Sequence, residues 1–192
     1  MKNDNIPYVN LSYQWQSERK EILKILDKVI TTQDWVGGLE IEKFEKNITE
    51  LTGTKYAIAL NSGTDALTLG LSLIGVRRGD EVITTPNSFI ASAASIIHIG
   101  AKPIFVDVKS DQNIDTNLIE KKISKKTKAI MPVHLTGRIS DMKEIMKLSQ
   151  KYTIPVIEDA AQAIGSKYLD KPAGSFGKVG CFSAHPLKNL NA

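Results

Sequence analysis

The chain has 192 residues, a formal net charge of +4, 42% hydrophobic and 24% charged residues, and a single cysteine, Cys181. That is enough chain for one sizeable core, and it excludes a disulfide framework and a cysteine-rich metal site. No run approaches the ~20 apolar residues of a membrane helix, and the N-terminus shows no apolar core of signal-peptide type, so a cytoplasmic location is expected. The basic residues are scattered or lie in helix-like stretches such as 120–128 rather than interleaved with aromatics, so no nucleic-acid face is expected.

In chain order, residues 1–14 read as extended. Ser17 is a candidate cap for a helix over 17–31, with Ile22, Leu23, Ile25, Leu26, Val29 and Ile30 as its apolar stripe. Gly37 and Gly38 break the chain, and a second helix follows over 40–51. The regime changes at residue 55. Short apolar runs bounded by turn residues, at 56–60, 81–85, 103–108, 129–133, 155–159 and 179–182, read as buried strands. Between them lie helical stretches at 66–73, 88–99, 115–123 and 141–151, the last two with Asp115 and Asp141 at their starts. Strands alternating with helices predict an α/β fold, a three-layer sandwich with a mostly parallel sheet covered on both faces. Residues 171–177 are rich in turn formers and read as a loop before the last strand.

Four stretches carry chemistry-bearing residues just after a predicted strand. Asn61-Ser62-Gly63-Thr64 lies between a strand and a helix. Small residues there allow a ligand close to the first helical N–H groups, which suits phosphate; a plain capped turn would look similar. G-x-G-x-x-G and Walker patterns are missing from this turn, which disfavours dinucleotide and P-loop readings. Phe89 follows the second strand and can stack on an aromatic ring, although a lone Phe is more often core. Asp159 ends the fifth strand, followed by Gln162. A buried carboxylate there needs a cationic partner such as a protonated pyridine nitrogen; capping the next helix is the plainer role. Lys188 follows the last strand after the turn made by Pro186. Any one lysine among 25 Lys+Arg is ordinarily solvated surface. The carboxyl ends of parallel strands nevertheless converge on one crevice. A phosphate cup, an aromatic platform, a carboxylate and a lysine in one crevice fit one cofactor, pyridoxal 5′-phosphate (PLP).

The sequence also resembles the nucleotide-sugar aminotransferases of the DegT/StrS type, which are PLP enzymes of fold type I. The resemblance rests on Asn61-Ser62-Gly63-Thr64-Asp65-Ala66-Leu67, Gly79-Asp80-Glu81-Val82-Ile83, the stretches 100–108 and 127–134, Ile157-Glu158-Asp159-Ala160-Ala161-Gln162-Ala163, and Phe182-Ser183-Ala184-His185-Pro186-Leu187-Lys188-Asn189-Leu190. It covers the chain from Trp35 onward. It implies that Lys188 is the Schiff-base lysine and Asp159 the pyridinium partner. Gly63, Thr64 and Ser183 would bind the phosphate, Gln162 would lie near the phenolic oxygen, and Phe89 would stack on the ring. Ala184 departs from the family, which usually has an aromatic there.

The implied reaction moves an amino group, by resemblance from L-glutamate, to a nucleotide-linked keto sugar in polysaccharide biosynthesis. Related sugar dehydratases replace the lysine with histidine, so Lys188 favours transamination over water loss. A fragment that binds PLP or a partner without turnover is the third reading. Residues 1–54 are expected to form an N-terminal arm and helices, and 55–192 the PLP-binding large domain. Family members run to about twice this length and act as homodimers. The end of the large domain and the small domain are therefore expected to lie outside this sequence.

Overall fold

The structure is a computed structural model that describes residues 7, 9–32 and 36–190. Its helices are α1 (Leu11–Thr32), α2 (Leu39–Thr52), α3 (Gly63–Leu73), α4 (Ile90–His98), α5 (Thr116–Ile119) and α6 (Met142–Tyr152). Its strands are β1 (Glu81–Thr84), β2 (Lys102–Phe105), β3 (Thr127–Ile130), β4 (Ile157–Asp159), β5 (Lys167–Tyr168), β6 (Lys171–Pro172) and β7 (Val179–Cys181).

β2, β1 and β3 form one parallel ladder and β4 with β7 another. Parallel bridges at Ile130–Val156 and Val133–Asp159 join them into the array β2-β1-β3-β4-β7. Pro103 lies in the outer strand β2, where a missing N–H is tolerated.

The side-chain alternation of these strands sorts the core into two layers. Val82, Ala129, Met131, Ile157 and Cys181 pack on one face with Leu67 and Leu71 of α3 and Ile96 of α4. Ile83, Ile130 and Val156, each one residue out of phase, pack on the other face with Ile119 of α5 and Met142 and Ile145 of α6. The expected three-layer α/β architecture is thus present. β1 runs through α4 toward one edge of the sheet, and β3 runs through α6 toward the other. The carboxyl ends of β1 and β3 therefore flank a point where the chain's direction of travel reverses, which is where open α/β sheets bind ligands.

Several expectations need correction. α1 begins at Leu11 rather than at Ser17, because Asn10 Oδ1 accepts from the Tyr13 N–H at 3.1 Å and so caps the helix. Ser17 lies inside it and donates to the Gln14 carbonyl. The predicted apolar stripe of α1 is not buried: Leu23, Ile25, Leu26 and Ile30 are exposed, and Ile22 and Val29 are half-buried. Residues 1–6 and 8 of the expected arm, and Trp35, lie outside the described residues.

The run 56–60 is extended but joins no ladder among the described residues. Tyr56 and Ile58 are 73% and 75% exposed, while Ala57 and Ala59 are half-buried. Its one tie to α2 is the Ala59 N–H, which donates to Glu45 Oε1 at 2.8 Å. The phosphate-site turn therefore follows an unpaired segment rather than a paired strand. Residues 167–172 form a small hairpin, β5–β6, which the sequence reading missed.

α3 lies on the sheet through Gly70. A Cβ there would meet Ile157 Cδ1 at 2.7 Å and Val179 Cγ1 at 3.2 Å. Gly→Ala inside a helix ordinarily gains up to about 1 kcal/mol, but this contact leaves no room for a branched side chain. Gly70→Val is expected to lower stability by about 1–3 kcal/mol through overpacking, read as a shift of the urea midpoint.

Candidate active site

The first functional element is the start of α3. Ser62 caps the helix: its hydroxyl accepts from the Asp65 N–H at 3.1 Å and donates to Asp65 Oδ2 at 3.0 Å. That leaves the early N–H groups of Gly63 and Thr64 free of side-chain caps and facing outward. Gly63 is where the backbone comes close. A Cβ there would stand 2.9 Å from Ser183 Cβ and 3.2 Å from the Phe182 carbonyl. The helix start and Ser183, just past β7, are therefore two walls of one small cup. Ser183 Oγ accepts from the His185 N–H at 3.3 Å, which leaves its own proton to donate to a bound anion.

β4 ends in two adjacent carboxylates that alternation sends to opposite faces. Glu158 is wholly buried and faces four donors. Oε2 takes the Gly174 N–H at 2.8 Å and His134 Nε2 at 3.0 Å; Oε1 takes the Phe176 and Gly177 N–H groups, each at 2.7 Å. The Ser140 N–H donates to His134 Nδ1 at 3.3 Å, so the imidazole proton sits on Nε2 and points at Glu158.

Asp159, on the other face, is 5% exposed. Its Oδ2 accepts from the Ser92 hydroxyl at 2.6 Å and its Oδ1 from the Ala161 N–H at 3.2 Å. Burial pushes its carboxyl above the ordinary range. The Ser92 hydroxyl, the Ala161 N–H and the His134 and Lys188 side chains pull the other way without cancelling that push. Cys181, in register with Asp159 on β7, is buried. Its thiol is pushed up first by burial and then by the Asp159 and Glu158 carboxylates, so it is an inert core thiol.

Lys188 follows a turn closed by its N–H on the His185 carbonyl at 2.7 Å. Its Nζ stands 5.9 Å from the centroid of the Phe89 ring. Phe89 precedes α4 and is exposed at the carboxyl end of β1. Gln162 Oε1 accepts from the Thr136 N–H at 2.8 Å, which ties it to the loop after β3 and leaves its amide N–H groups to donate.

The predicted residues thus fall into two joined groups, Gly63 and Thr64 with Ser183, and Lys188 with Phe89 and Asp159, with Gln162 at the rim beside residue 136. Sequence reasoning missed the supporting residues Glu158, His134 and Ser92. An acidic residue inside an apolar strand was the available signal for Glu158.

The chain matches the model of the DegT/DnrJ/EryC1/StrS aminotransferase family over residues 16–192. It belongs to that family. Its relatives include the UDP-N-acetyl-3-dehydro-alpha-D-glucosamine 3-aminotransferase of Acidithiobacillus ferrooxidans, 42% identical, with 100% of this chain matched to 52% of that protein. GDP-perosamine synthase of Caulobacter vibrioides is 43% identical, with 87% of this chain matched to 44% of the relative. Among solved structures, DesV of S. venezuelae, in complex with a ketimine intermediate, superposes with a TM-score of 0.93 at 35% identity, covering 97% of this chain and 50% of that one. The family thus supplies close structural neighbours of the expected PLP-dependent fold type I. The chain spans about half the length of the relatives it matches.

Two outcomes follow for the paired carboxylates. Glu158→Gln would set an amide N–H against two buried donors and is expected to cost about 3 kcal/mol of stability in denaturant unfolding. The folded-state value of Asp159 lies above the unfolded one, so the native chain holds that proton more tightly. Asp159 therefore subtracts stability as pH rises above its ordinary 3.8. Asp159→Asn is expected to raise the Tm of the unliganded protein near neutral pH and to lose that gain in acid.

Proposed function

We propose that the protein to which this chain belongs is a PLP-dependent aminotransferase that moves an amino group, from L-glutamate, to a nucleotide-linked keto sugar. The reading rests above all on one juxtaposition: the Lys188 amine overlies the Phe89 ring and acts electrostatically on the buried carboxylate of Asp159. The residues present fit the cofactor. The bare Gly63 leaves the α3 start and the Ser183 hydroxyl one shared space, which suits its phosphate. Asp159 is below its acceptor capacity, accepting from one hydroxyl and one backbone N–H, and so has lone pairs for a pyridinium N–H. The relatives support the substrate class, since several carry names of nucleotide-sugar transaminases.

When bound, PLP supplies an electron sink for charge that develops at an amino acid's Cα. Asp159 holds the proton on the ring nitrogen, and a pyridinium beside it relieves its uncompensated burial. Phe89 would offer its exposed face to the cofactor ring. Gly63, Thr64 and Ser183 hold the phosphate and fix where the ring lies. Gln162 donates its amide N–H to the phenolic oxygen. Lys188 would hold the cofactor through Nζ, and the same nitrogen, when free, would serve as the base and acid that moves the proton at the amino acid's Cα.

On this reading α1 and α2 belong to an appendage that precedes residue 55, and the chain from residue 55 onward is the PLP-binding part. We place the enzyme in the cytoplasm as a homodimer. The support for a dimer is the row of exposed apolar residues on α1 and α2, among them Leu23, Leu26, Ile30, Ile41 and Phe44, which a partner subunit would cover.

Lys188→Ala is expected to abolish the visible absorbance that the protein acquires with PLP, and with it amine transfer from glutamate to UDP-, dTDP- or GDP-linked keto sugars followed by mass spectrometry. An unchanged spectrum overturns the assignment.

A further inference from the structure

Asp159 is held from a side that the chemistry above does not use. Ser92, buried on α4, donates to Asp159 Oδ2 at 2.6 Å, and Ser88 Oγ lies 2.6 Å from Ser92 Oγ. A carboxylate has no proton to give, so the one hydroxyl proton of Ser92 is committed to Asp159. Ser92 Oγ must then accept from Ser88. The relay has a fixed direction, Ser88 to Ser92 to Asp159.

A serine inside a helix ordinarily turns its hydroxyl back onto the preceding turn. Ser95 does so, donating to the Ser92 carbonyl at 3.0 Å, and Ser72 of α3 donates to the Thr68 carbonyl in the same way. Ser92 instead reaches across to β4. Ser88 is half-buried and immediately precedes Phe89, over whose ring the Lys188 amine lies. Two hydroxyls therefore connect the loop that carries the aromatic platform to the Asp159 carboxylate on β4.

We propose that Ser88 and Ser92 are positioning residues that fix the orientation of the Asp159 carboxylate relative to the Phe89 platform, and so set the geometry in which the PLP ring nitrogen is held. This rests on the assignment of Asp159 as the pyridinium partner. A platform and a partner on separate elements would drift independently; the relay makes them move as one. The Ser92 hydroxyl also favours the ionised carboxylate. The other titratable groups near Asp159 are His134, Lys188 and Cys181, with Glu158 turned to the opposite face.

The test uses the whole protein stripped of cofactor, in four forms: wild type, Ser92→Ala, Ser92→Thr and Ser88→Ala. The first readout needs no cofactor. It is the infrared carboxylic-acid band of Asp159 followed against pH and assigned by its loss in Asp159→Asn. The second is the PLP dissociation constant from absorbance titration. Ser92→Ala is expected to move the band's midpoint upward and to weaken PLP binding about tenfold, the scale of one lost hydrogen bond to a charged group. Ser88→Ala is expected to do the same to a smaller degree, and Ser92→Thr, which keeps the hydroxyl, to stay near wild type. If Ser92→Ala does not fold, Ser88→Ala decides. Midpoint and affinity unchanged in the folded alanine variants overturn the relay. Wild-type protein that takes up no PLP overturns the Asp159 assignment instead, and the infrared readout then still reports on the hydroxyls alone.

Discussion

A carboxylate with no access to water must be met by donors, and Glu158 is met by four. Three of these are backbone N–H groups of the loop at 174–177, and the fourth is the His134 ring from the segment after β3. The bonds therefore determine more than the comfort of one charge. They set the path by which the chain re-enters the sheet as β7, and β7 carries Ser183 and Lys188 on its far end. Glycine at 177 belongs to the same constraint, because a Cβ there would press into the Val156 carbonyl. An acidic residue buried in the sheet, on the strand next to β7, is in this sense a fastener for the lysine loop.

Asp159 follows the opposite logic one residue later. It is buried nearly as deeply, yet it receives only a hydroxyl and one backbone N–H. A group satisfied like Glu158 has nothing left for a ligand; a group left open like Asp159 is a cost to the unliganded fold and an attraction for a cation. Adjacent positions on one short strand thus divide the work. One side chain stabilises the frame, and the other holds binding capacity in reserve.

The residues proposed for the site stood out in the sequence because their chemistry is unusual for their positions: a carboxylate ending an apolar strand, a lysine after another, small residues at a helix start. Their supports were not. Ser92 lies in an alanine-rich helix where a serine looks like filler, and only the structure turns it toward β4. The hairpin β5–β6 was hidden because its turn uses Leu169 and Asp170 at positive φ, 49° and 62°, where glycine or asparagine would have announced it. The run 56–60 is continuously apolar, as a buried strand would be, but apolarity does not supply a partner for the backbone; Tyr56 and Ile58 are exposed and only Ala57 and Ala59 are half-buried. α1 was mis-started because Asn10 and Ser17 are both plausible caps, and the choice depends on which reaches a free N–H.

The same distinction between frame and reserve explains how Lys188 is held. Its turn is closed by local bonds alone: the Lys188 N–H on the His185 carbonyl, the Leu187 N–H on His185 Nδ1 at 3.1 Å, and the His185 N–H on Ser183 Oγ. No bond in this set uses the amine. The backbone of the loop is fixed by its neighbours in sequence, while the four-carbon stem keeps its rotamers. The role proposed for Lys188, anchoring a cofactor and then carrying a proton between two atoms, needs this combination, a root that does not move and a tip that does. Tying the amine into a salt bridge would have made the cleft tidier and the residue useless. Placing it over an aromatic face, with the Asp159 carboxylate engaged by Ser92, leaves the amine unspent.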